Sequence, residues 1–235
     1  MMEADSVDRE ERQHDIGANK SRIIIVDDHP IVRQGLADLI NQEEHLVVCG
    51  QVEDAPEAMK AIRELNPDMV IVDISLAGIS GVELIKDIKA QHPGLPVLTF
   101  SMHEESLYAE RALRAGARGY IMKREGTTKI VMAIGKILSG ELYVSDAMTA
   151  KMMSRMIDSK PAVPASAIEG LSDRELEVFS LLGRGHGTRR ISEELHLSLK
   201  TIETYRLRIK DKLNLTDAAE LLQHAFQWVN DQQKG

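Results

Sequence analysis

The chain has 235 residues and a formal net charge of −8, with 43% hydrophobic and 3% aromatic residues. This length suffices for one large domain or two small ones with aliphatic cores, and the single cysteine, Cys49, excludes an intramolecular disulfide framework and a cysteine-cluster zinc site. No apolar run approaches the roughly 20 residues that span a bilayer, and the first residues lack the apolar centre of a signal peptide, so we expect a soluble cytoplasmic protein.

Charge is distributed unevenly along the chain. Residues 1–19 hold six acidic and two basic residues, and we predict that residues 1–20 form a disordered acidic tail. Residues 184–212 hold eight basic and four acidic residues, a local balance of +4. This segment is a candidate nucleic-acid-binding surface that the net charge of the whole chain conceals.

Between residues 21 and 138, short apolar runs alternate with amphipathic helical patterns. The predicted strands are 22–27, 46–51, 69–73, 96–101 and 119–122. The predicted helices are 30–42, 54–65, 82–91, 104–115 and 126–138. Because strands that alternate with helices of this length form βαβ units, we predict an α/β domain whose parallel sheet is covered on both faces.

After Gly140 the pattern becomes helical. Residues 145–157 predict one more helix, and the segment 159–167, with two prolines, predicts a linker, so we assign 139–168 to a linker helix and linker. Four further helices and no strands are predicted, at 173–183, 188–195, 199–213 and 217–229, with Ser172, Ser198 and Thr216 as start signals. Residues 169–235 are therefore predicted to form an all-α, four-helix domain.

Acidic side chains stand at the ends of two predicted strands. Asp27 and Asp28 follow the first strand, and Asp73 ends the third. Since sites in open parallel sheets form at the carboxyl ends of strands, the three carboxylates meet if these two strands are neighbours. Hard oxygen ligands with no histidine or cysteine nearby suit Mg²⁺, which the sequence therefore predicts here.

Two more polar residues stand at strand ends. Ser101 ends the fourth predicted strand, and Lys123 follows the fifth. A metal ion, a hydroxyl and an ammonium around a carboxylate suit a phosphoryl group on that carboxylate, because the cations neutralise phosphoryl oxygens while the carboxylate attacks in line. Each residue taken alone has an ordinary explanation, such as a helix cap for Ser101, but five of them at successive strand ends favour a shared function.

These residues lie in motifs of a known family. The stretches VDDHPIVRQGL, VDISLAGISGVEL, VLTFSMH and GARGYIMK resemble, in order and spacing, the receiver domain of two-component response regulators, and VDDHP resembles the NarL/FixJ branch. The resemblance covers residues 21–138 and implies a flavodoxin-like (βα)5 fold. It implies that Asp73 is the phosphoacceptor, and that Mg²⁺ is held by Asp27, Asp28, Asp73 and the backbone carbonyl of Ser75.

The same resemblance assigns switch residues. It implies that Ser101 is the switch hydroxyl, Tyr120 the switch aromatic and Lys123 the phosphate-sensing lysine. For Tyr120, an ordinary half-buried strand aromatic stays an open alternative. The sequence departs from the family at Ala77, where proline is usual; this change bears on phosphoryl lifetime and removes no catalytic group.

The basic segment fits a helix-turn-helix. TRRISEEL and LKTIETYRLRIKDKL flank the short HLS turn, and the second helix carries five basic residues, Lys200, Arg206, Arg208, Lys210 and Lys212. Its predicted buried stripe consists of Ile202, Leu207 (or Tyr205), Ile209 and Leu213. The plain alternative is a basic amphipathic helix with a solvated face.

Residues 170–230 resemble the LuxR-type helix-turn-helix, with departures at Tyr205 and at residues 187–190. The resemblance implies that Glu203, Thr204 and Leu207 face DNA bases. It implies phosphate contacts from Lys200, Thr201, Tyr205, Arg208 and Lys212. It also implies that the last helix pairs with its copy in a DNA-bound dimer. The candidates are Leu221, Leu222, Ala225 and Trp228, some of which must serve the core of their own domain.

We therefore expect a response regulator in which a sensor histidine kinase phosphorylates Asp73 and thereby controls DNA binding and transcription. It is not expected to be an enzyme on external substrates, since the receiver catalyses only its own phosphoryl transfer and slow dephosphorylation. The expected partners are the kinase, promoter DNA and a second copy of the chain, with RNA polymerase as a candidate and no membrane. Three alternatives stay open: a phosphorylation-independent regulator with a silent receiver, an aspartyl-phosphate phosphatase, and an RNA-binding antiterminator.

Overall fold

The computed structural model describes residues 20–125, 127–157 and 167–232. The elements of the first domain are β1 (Ser21–Val26), α1 (Pro30–Asn41), β2 (Leu46–Val52), α2 (Ala55–Leu65), β3 (Met69–Val72), α3 (Gly81–Gln91), β4 (Val97–Ser101), α4 (Glu105–Ala115), β5 (Gly119–Met122) and α5 (Thr127–Leu138). The predicted alternation of strands and helices is confirmed, with ends that shift by a single residue. The predicted acidic tail lies outside the described residues, except for Lys20.

The five strands form one parallel sheet in the order β2-β1-β3-β4-β5. β1 and β3 are neighbours, with Val26 paired to Val72. Asp27 directly follows Val26, and Asp73 directly follows Val72. The two strands that carry the acidic residues are therefore neighbours, as the predicted meeting of the carboxylates required.

Strand side chains alternate between two buried layers, as the two-residue period of a strand requires. Ile24 and Val26 of β1 belong to one layer, which α2, α3 and α4 cover. Ile23 and Ile25 belong to the other layer, which α1 and α5 cover. Both faces of the sheet are thus covered by helices, and its polar site is confined to the carboxyl edge.

The chain that leaves α5 stays attached to this domain. Tyr143 pairs with the edge strand β5, where it donates to the Arg118 carbonyl at 2.9 Å and accepts from the Tyr120 N–H at 2.8 Å. The predicted linker helix is confirmed as α6 (Asp146–Ile157). Ser145, which directly precedes α6, donates its backbone N–H to the carboxylate of Glu105, the first residue of α4, at 2.8 Å. This hydrogen bond connects the start of α6 to α4. The predicted linker 159–167 lies outside the described residues, apart from its last residue.

The second domain is all-α, as predicted. Its helices are α7 (Asp173–Gly183), α8 (Thr188–Glu194), α9 (Leu199–Leu213) and α10 (Ala218–Gln232). Ser172 caps α7 in a reciprocal capping box with Glu175, and Ser198 caps α9. Thr216 was the wrong start signal for α10, because the side chain of Asp217 accepts from the Glu220 N–H at 2.9 Å.

The buried stripe of α9 settles the alternative that the sequence left open. Ile202 and Ile209 are fully buried, while Tyr205 and Leu213 are half-buried against the core. Leu207 is 57% exposed, so Tyr205 and not Leu207 completes the stripe. Among the described residues, none of the helices combines the length and apolarity that a membrane span needs.

Candidate functional site

The carboxyl edge of the sheet holds a buried triad of charged side chains. The Lys123 ammonium lies 2.6 Å from an Asp27 carboxylate oxygen and 2.6 Å from an Asp73 carboxylate oxygen. Both aspartates are buried. One lysine after β5 thus reaches past the end of β4 to the ends of β1 and β3.

Burial and charge oppose each other in this triad. Burial raises the pKa of Asp73, and the neighbouring Asp27 carboxylate adds to the rise, whereas Lys123 lowers it without cancelling the rise. Burial alone lowers the pKa of Lys123, but Asp73 and Asp27 outweigh it and raise this pKa. The two carboxylates therefore depend on a cation beside them.

The donor set fits a divalent cation. Oxygen atoms of Asp27, Asp28 and Asp73 and a ring nitrogen of His29 lie within 4.8 Å of one another. His29 Nδ1 is 2.6 Å from Asp28 Oδ1, but no hydrogen bond of normal geometry joins them. Asp28 Oδ1 thus has this ion-pair contact but no hydrogen bond of accepted geometry within the described part of the chain, and as a carboxylate oxygen it suits a hard cation.

The expectation that no histidine lies near the carboxylates was wrong. His29 follows Asp28 directly, and its ring nitrogen belongs to the group described above. Its backbone N–H also donates to Asp27 Oδ1, at 2.9 Å. The arrangement still favours a hard cation, since three of the four groups are carboxylates.

The loop after Asp73 is shaped by a close backbone approach. A Cβ on Gly81 would lie 1.9 Å from the Asp73 carbonyl oxygen, and the Gly81 N–H donates to the Ile74 carbonyl at 2.7 Å. The Ser75 N–H donates to Asp73 Oδ1 at 3.3 Å. The loop that contains Ala77 therefore folds back onto Asp73.

The predicted switch residues are buried together. Ser101 is fully buried, and its hydroxyl accepts from the His103 N–H at 3.3 Å. The Tyr120 ring is also buried, and its hydroxyl donates to the His103 carbonyl at 3.0 Å. The β4–α4 loop is thus held by both predicted switch side chains at His103, a residue that the sequence analysis did not single out.

The outer face of α9 presents the predicted DNA-contacting residues. Lys200, Glu203, Thr204, Leu207, Arg208 and Lys212 are exposed, and Thr201 and Tyr205 are half-buried. Glu203 Oε1 accepts from the Thr188 hydroxyl at 2.9 Å and from Arg206 at 3.0 Å. Lys212 is engaged within the domain, where it donates to Glu175 at 2.6 Å. The outer face of α9 is therefore exposed to solvent and accessible to a ligand. Within the predicted set, Lys212 is the residue whose side chain is hydrogen-bonded to α7.

The four dimer candidates on α10 differ in their burial. Leu221 and Ala225 are fully buried in the core of their own domain, so they are the candidates that serve that core. Trp228 is half-buried and its ring packs on Phe179 with centroids 5.4 Å apart. Leu222 is exposed, and it shares the exposed face with Phe226, which the sequence analysis missed.

The first half of α7 packs on the first domain, at the loop that follows Asp73. Glu177 accepts from the Ser75 hydroxyl at 3.0 Å, and Arg174 donates to the Leu76 carbonyl at 2.6 Å. Arg111 of α4 donates to Asp173 at 3.1 Å. Sequence reasoning missed these contacts, because the pattern of apolar residues within one domain carries no signal for polar contacts with another.

Two family models match the chain. The response regulator receiver domain matches residues 23–135, and the bacterial regulatory proteins of the luxR family match residues 169–225. The chain is 34% identical over 200 residues to the response regulator GacA of Pseudomonas viridiflava, covering 85% of this chain and 92% of that protein. It is 31% identical over 210 residues to the oxygen regulatory protein NreC of Staphylococcus epidermidis, covering 87% and 96%.

A solved structure of RcsB from Salmonella enterica serovar Typhimurium, bound to promoter rprA in the presence of the phosphomimetic BeF3−, is also similar. Its TM-score is 0.56 at 26% identity, covering 88% of this chain and 98% of that chain. The two matched families occur in the same order as the two domains described above. The chain therefore belongs to the NarL/FixJ family of two-component response regulators, with a receiver domain and a LuxR-type DNA-binding domain.

Proposed function

We propose that Mg²⁺-dependent phosphorylation of Asp73 by a sensor histidine kinase controls sequence-specific DNA binding by the second domain. The observation that carries this proposal is the Lys123 ammonium held 2.6 Å from both Asp27 and Asp73. A buried nucleophile beside a fixed ammonium and a second cation-binding carboxylate is the arrangement that phosphoryl transfer needs. The receiver acts only on its own phosphoryl group, so the chain is not an enzyme on external substrates.

In the transfer step an Asp73 oxygen attacks the phosphorus of a phosphohistidine on the kinase. The oxygen–phosphorus bond forms as the phosphorus–nitrogen bond breaks, and the imidazole leaves. Asp27, Asp28, Asp73 and the Ser75 carbonyl would hold Mg²⁺, which would supply positive charge for the phosphoryl oxygens. Lys123 supplies a second positive charge, and the Ser101 hydroxyl, which accepts from the His103 backbone N–H, has its own proton to donate to a phosphoryl oxygen.

The DNA-binding step uses the exposed face of α9. Glu203, Thr204 and Leu207 contact bases in the major groove, with Glu203 accepting from cytosine N4 and Leu207 touching a thymine methyl. Lys200, Thr201, Tyr205, Arg208 and Lys212 contact phosphates, which requires Lys212 to leave Glu175. The RcsB relative is bound to a promoter, which supports double-stranded DNA as the ligand.

Further assignments follow from the same proposal. The receiver comprises residues 21–138, and the DNA-binding domain comprises residues 169–235. Two copies pair through the exposed face of α10 at Leu222 and Phe226 when phosphorylated or bound to DNA. The site of action is the cytoplasm, with RNA polymerase as a candidate partner at the promoter.

The experiment that tests the proposal is phosphoryl labelling. The full chain is incubated with labelled acetyl phosphate with and without Mg²⁺, and Asp73→Asn is the control. We expect Mg²⁺-dependent labelling that the variant loses, and labelled protein that binds sites selected from random duplex DNA more tightly than unlabelled protein. DNA binding without labelling would favour the phosphorylation-independent regulator, and turnover of small phosphate esters would favour the phosphatase. Preferential binding to RNA would favour the antiterminator.

A further inference from the structure

Asp27 is held by hydrogen bonds at its backbone and at its carboxylate. Its N–H donates to the Val52 carbonyl at 3.2 Å. Its carboxylate accepts from the His29 N–H at 2.9 Å and from Lys123 at 2.6 Å. Its backbone carbonyl accepts from the Arg33 guanidinium. Arg33 therefore completes a set of contacts that fixes every polar group of Asp27, although the function described above gives Arg33 no role.

Arg33 reaches Asp27 from the first turn of α1, six positions further along the chain. Its own N–H donates to the His29 carbonyl at 3.1 Å, as in a regular helix. Many helices begin with a side chain that accepts from the first free N–H groups, but the side chain of His29 at the start of α1 makes no such bond. Arg33 therefore supplies a side-chain hydrogen bond that ties the β1–α1 loop, residues 27–29, to the helix.

The other end of the Arg33 fork faces the β2–α2 loop. Its second terminal nitrogen lies 3.9 Å from an oxygen of Glu53, and Glu53 directly follows Val52. The Arg33 side chain is 15% exposed, whereas that of Glu53 is 63% exposed. A long ion pair to an exposed carboxylate contributes little, so the hydrogen bond to Asp27 is the contact through which Arg33 acts.

We propose that Arg33 is a positioning residue for the divalent cation that Asp27 and Asp28 would hold. This inference rests on the proposed function of that site. By fixing the Asp27 carbonyl, the guanidinium fixes the turn of the chain from which both carboxylates project. Residues that orient metal ligands in this way typically contribute about 10- to 100-fold to the affinity for the metal.

The charge of Arg33 acts in the opposite direction. A guanidinium is permanently protonated, and a positive charge close to a cation site repels the cation. Loss of the charge alone would therefore increase the affinity for Mg²⁺, whereas loss of the hydrogen bond to Asp27 would decrease it. The sign of the change on replacement of Arg33 consequently separates the two effects.

The test is isothermal titration calorimetry of Mg²⁺ binding to the full chain without a phosphoryl donor. Arg33→Met keeps the length of the side chain and removes its donors and its charge, and we expect the Kd for Mg²⁺ to rise about tenfold. Arg63→Met is the matched control, because Arg63 is exposed in the last turn of α2, and it should keep the wild-type Kd. Asp28→Asn shows which part of the heat comes from this site.

The Mg²⁺ dependence of labelling by acetyl phosphate separates positioning from a general distortion of the pocket. For Arg33→Met we expect the Mg²⁺ concentration at half-maximal rate to rise about tenfold, with a rate at saturating Mg²⁺ within about twofold of wild type. A distorted pocket would lower the rate at saturating Mg²⁺ as well, which would overturn the inference. Glu53→Gln should have less than about a twofold effect on either quantity, since its pair with Arg33 is long and exposed.

The titration of the wild type and of Arg33→Met also separates this inference from the proposed function. An unchanged or tighter Kd for Mg²⁺ in Arg33→Met would overturn the inference and leave the proposed function intact. Absence of both Mg²⁺ binding and labelling in the wild type would instead overturn the proposed function.

A measurement on the wild type decides the question if circular dichroism shows that Arg33→Met does not fold. Because coupling is reciprocal, a hydrogen bond that favours Mg²⁺ binding must itself be strengthened by Mg²⁺. Nuclear magnetic resonance follows the exchange of the Arg33 guanidinium protons with solvent, and the exposed Arg63 is the internal reference. Slower exchange at Arg33 with saturating Mg²⁺, absent in Asp28→Asn, supports the inference, and unchanged exchange overturns it.

Discussion

Lys123 lies 2.6 Å from Asp73, although the two residues are 50 positions apart in the sequence. The same ammonium pairs with Asp27, so it compensates two buried carboxylates. Lys123→Met leaves both without a countercharge, and we expect it to lower the free energy of unfolding by about 3 kcal/mol without Mg²⁺. Added Mg²⁺ should restore part of the loss, which urea unfolding followed by circular dichroism measures. Lys129→Met, at an exposed surface pair with Glu125, should change stability little, and an equally small effect of Lys123→Met would contradict the account.

The close approach of Gly81 to the Asp73 carbonyl oxygen gives a second prediction. A methyl group there meets the Asp73 carbonyl oxygen at 1.9 Å, so Gly81→Ala must displace the loop, at a cost of about 1–3 kcal/mol. We expect lower stability and slower labelling of Asp73. Gly35→Ala is the control, because nothing lies within 4 Å of its Cβ position in α1, and alanine there should stabilise by about 0.5–1 kcal/mol. Equal effects at the two glycines would contradict the steric argument.

The receiver was more predictable from sequence than the contact between the domains. Asp27, Asp28, Asp73, Ser101 and Lys123 stand at strand ends, and a parallel sheet brings strand ends to one edge, so their proximity follows from the order of elements. By contrast, the burial of Glu177 depends on another domain, which leaves no periodic signal. The sequence could not separate dimer contacts from core residues at Leu221 and Ala225, which are buried in their own domain, since an amphipathic pattern identifies a buried face without naming the partner that buries it.

Glu175 links the start of α7 to α9 and gives a pH-dependent prediction. Its carboxylate accepts from the Ser172 N–H at 2.7 Å and from Lys212 at 2.6 Å. Burial raises the pKa of Glu175, but these hydrogen bonds outweigh burial and lower it. A lowered folded-state pKa means that the carboxylate stabilises the fold above the unfolded-state pKa of about 4.3. This stabilisation is lost as the pH falls through the folded-state pKa.

We therefore expect Glu175→Gln to lower the free energy of unfolding of the second domain by about 1 kcal/mol at pH 7. The difference from wild type should shrink as the pH falls from 5 towards 3. Trp228 is the single tryptophan of the chain and packs on Phe179, so its fluorescence in urea reports on this domain alone. Glu193→Gln is the exposed control, and a difference that stays constant over this pH range would contradict the role assigned to the charge.

Thr188 fixes the side chain expected to read a base. Its hydroxyl donates to Glu203 Oε1 at 2.9 Å, which leaves Oε2 to accept from cytosine. Thr188→Val removes this donor at nearly constant volume. At the base pair that Glu203 contacts, we expect the ratio of affinities for the preferred and the other base pairs to fall about fivefold. This corresponds to about 1 kcal/mol, the contribution of one hydrogen bond. Binding-site selection followed by fluorescence anisotropy measures it. Arg208→Ala, a phosphate contact, should instead weaken binding to all sequences equally and reduce the salt dependence by about one ion. If Thr188→Val instead weakened binding to all DNA sequences equally, Thr188 would not position Glu203 for base recognition.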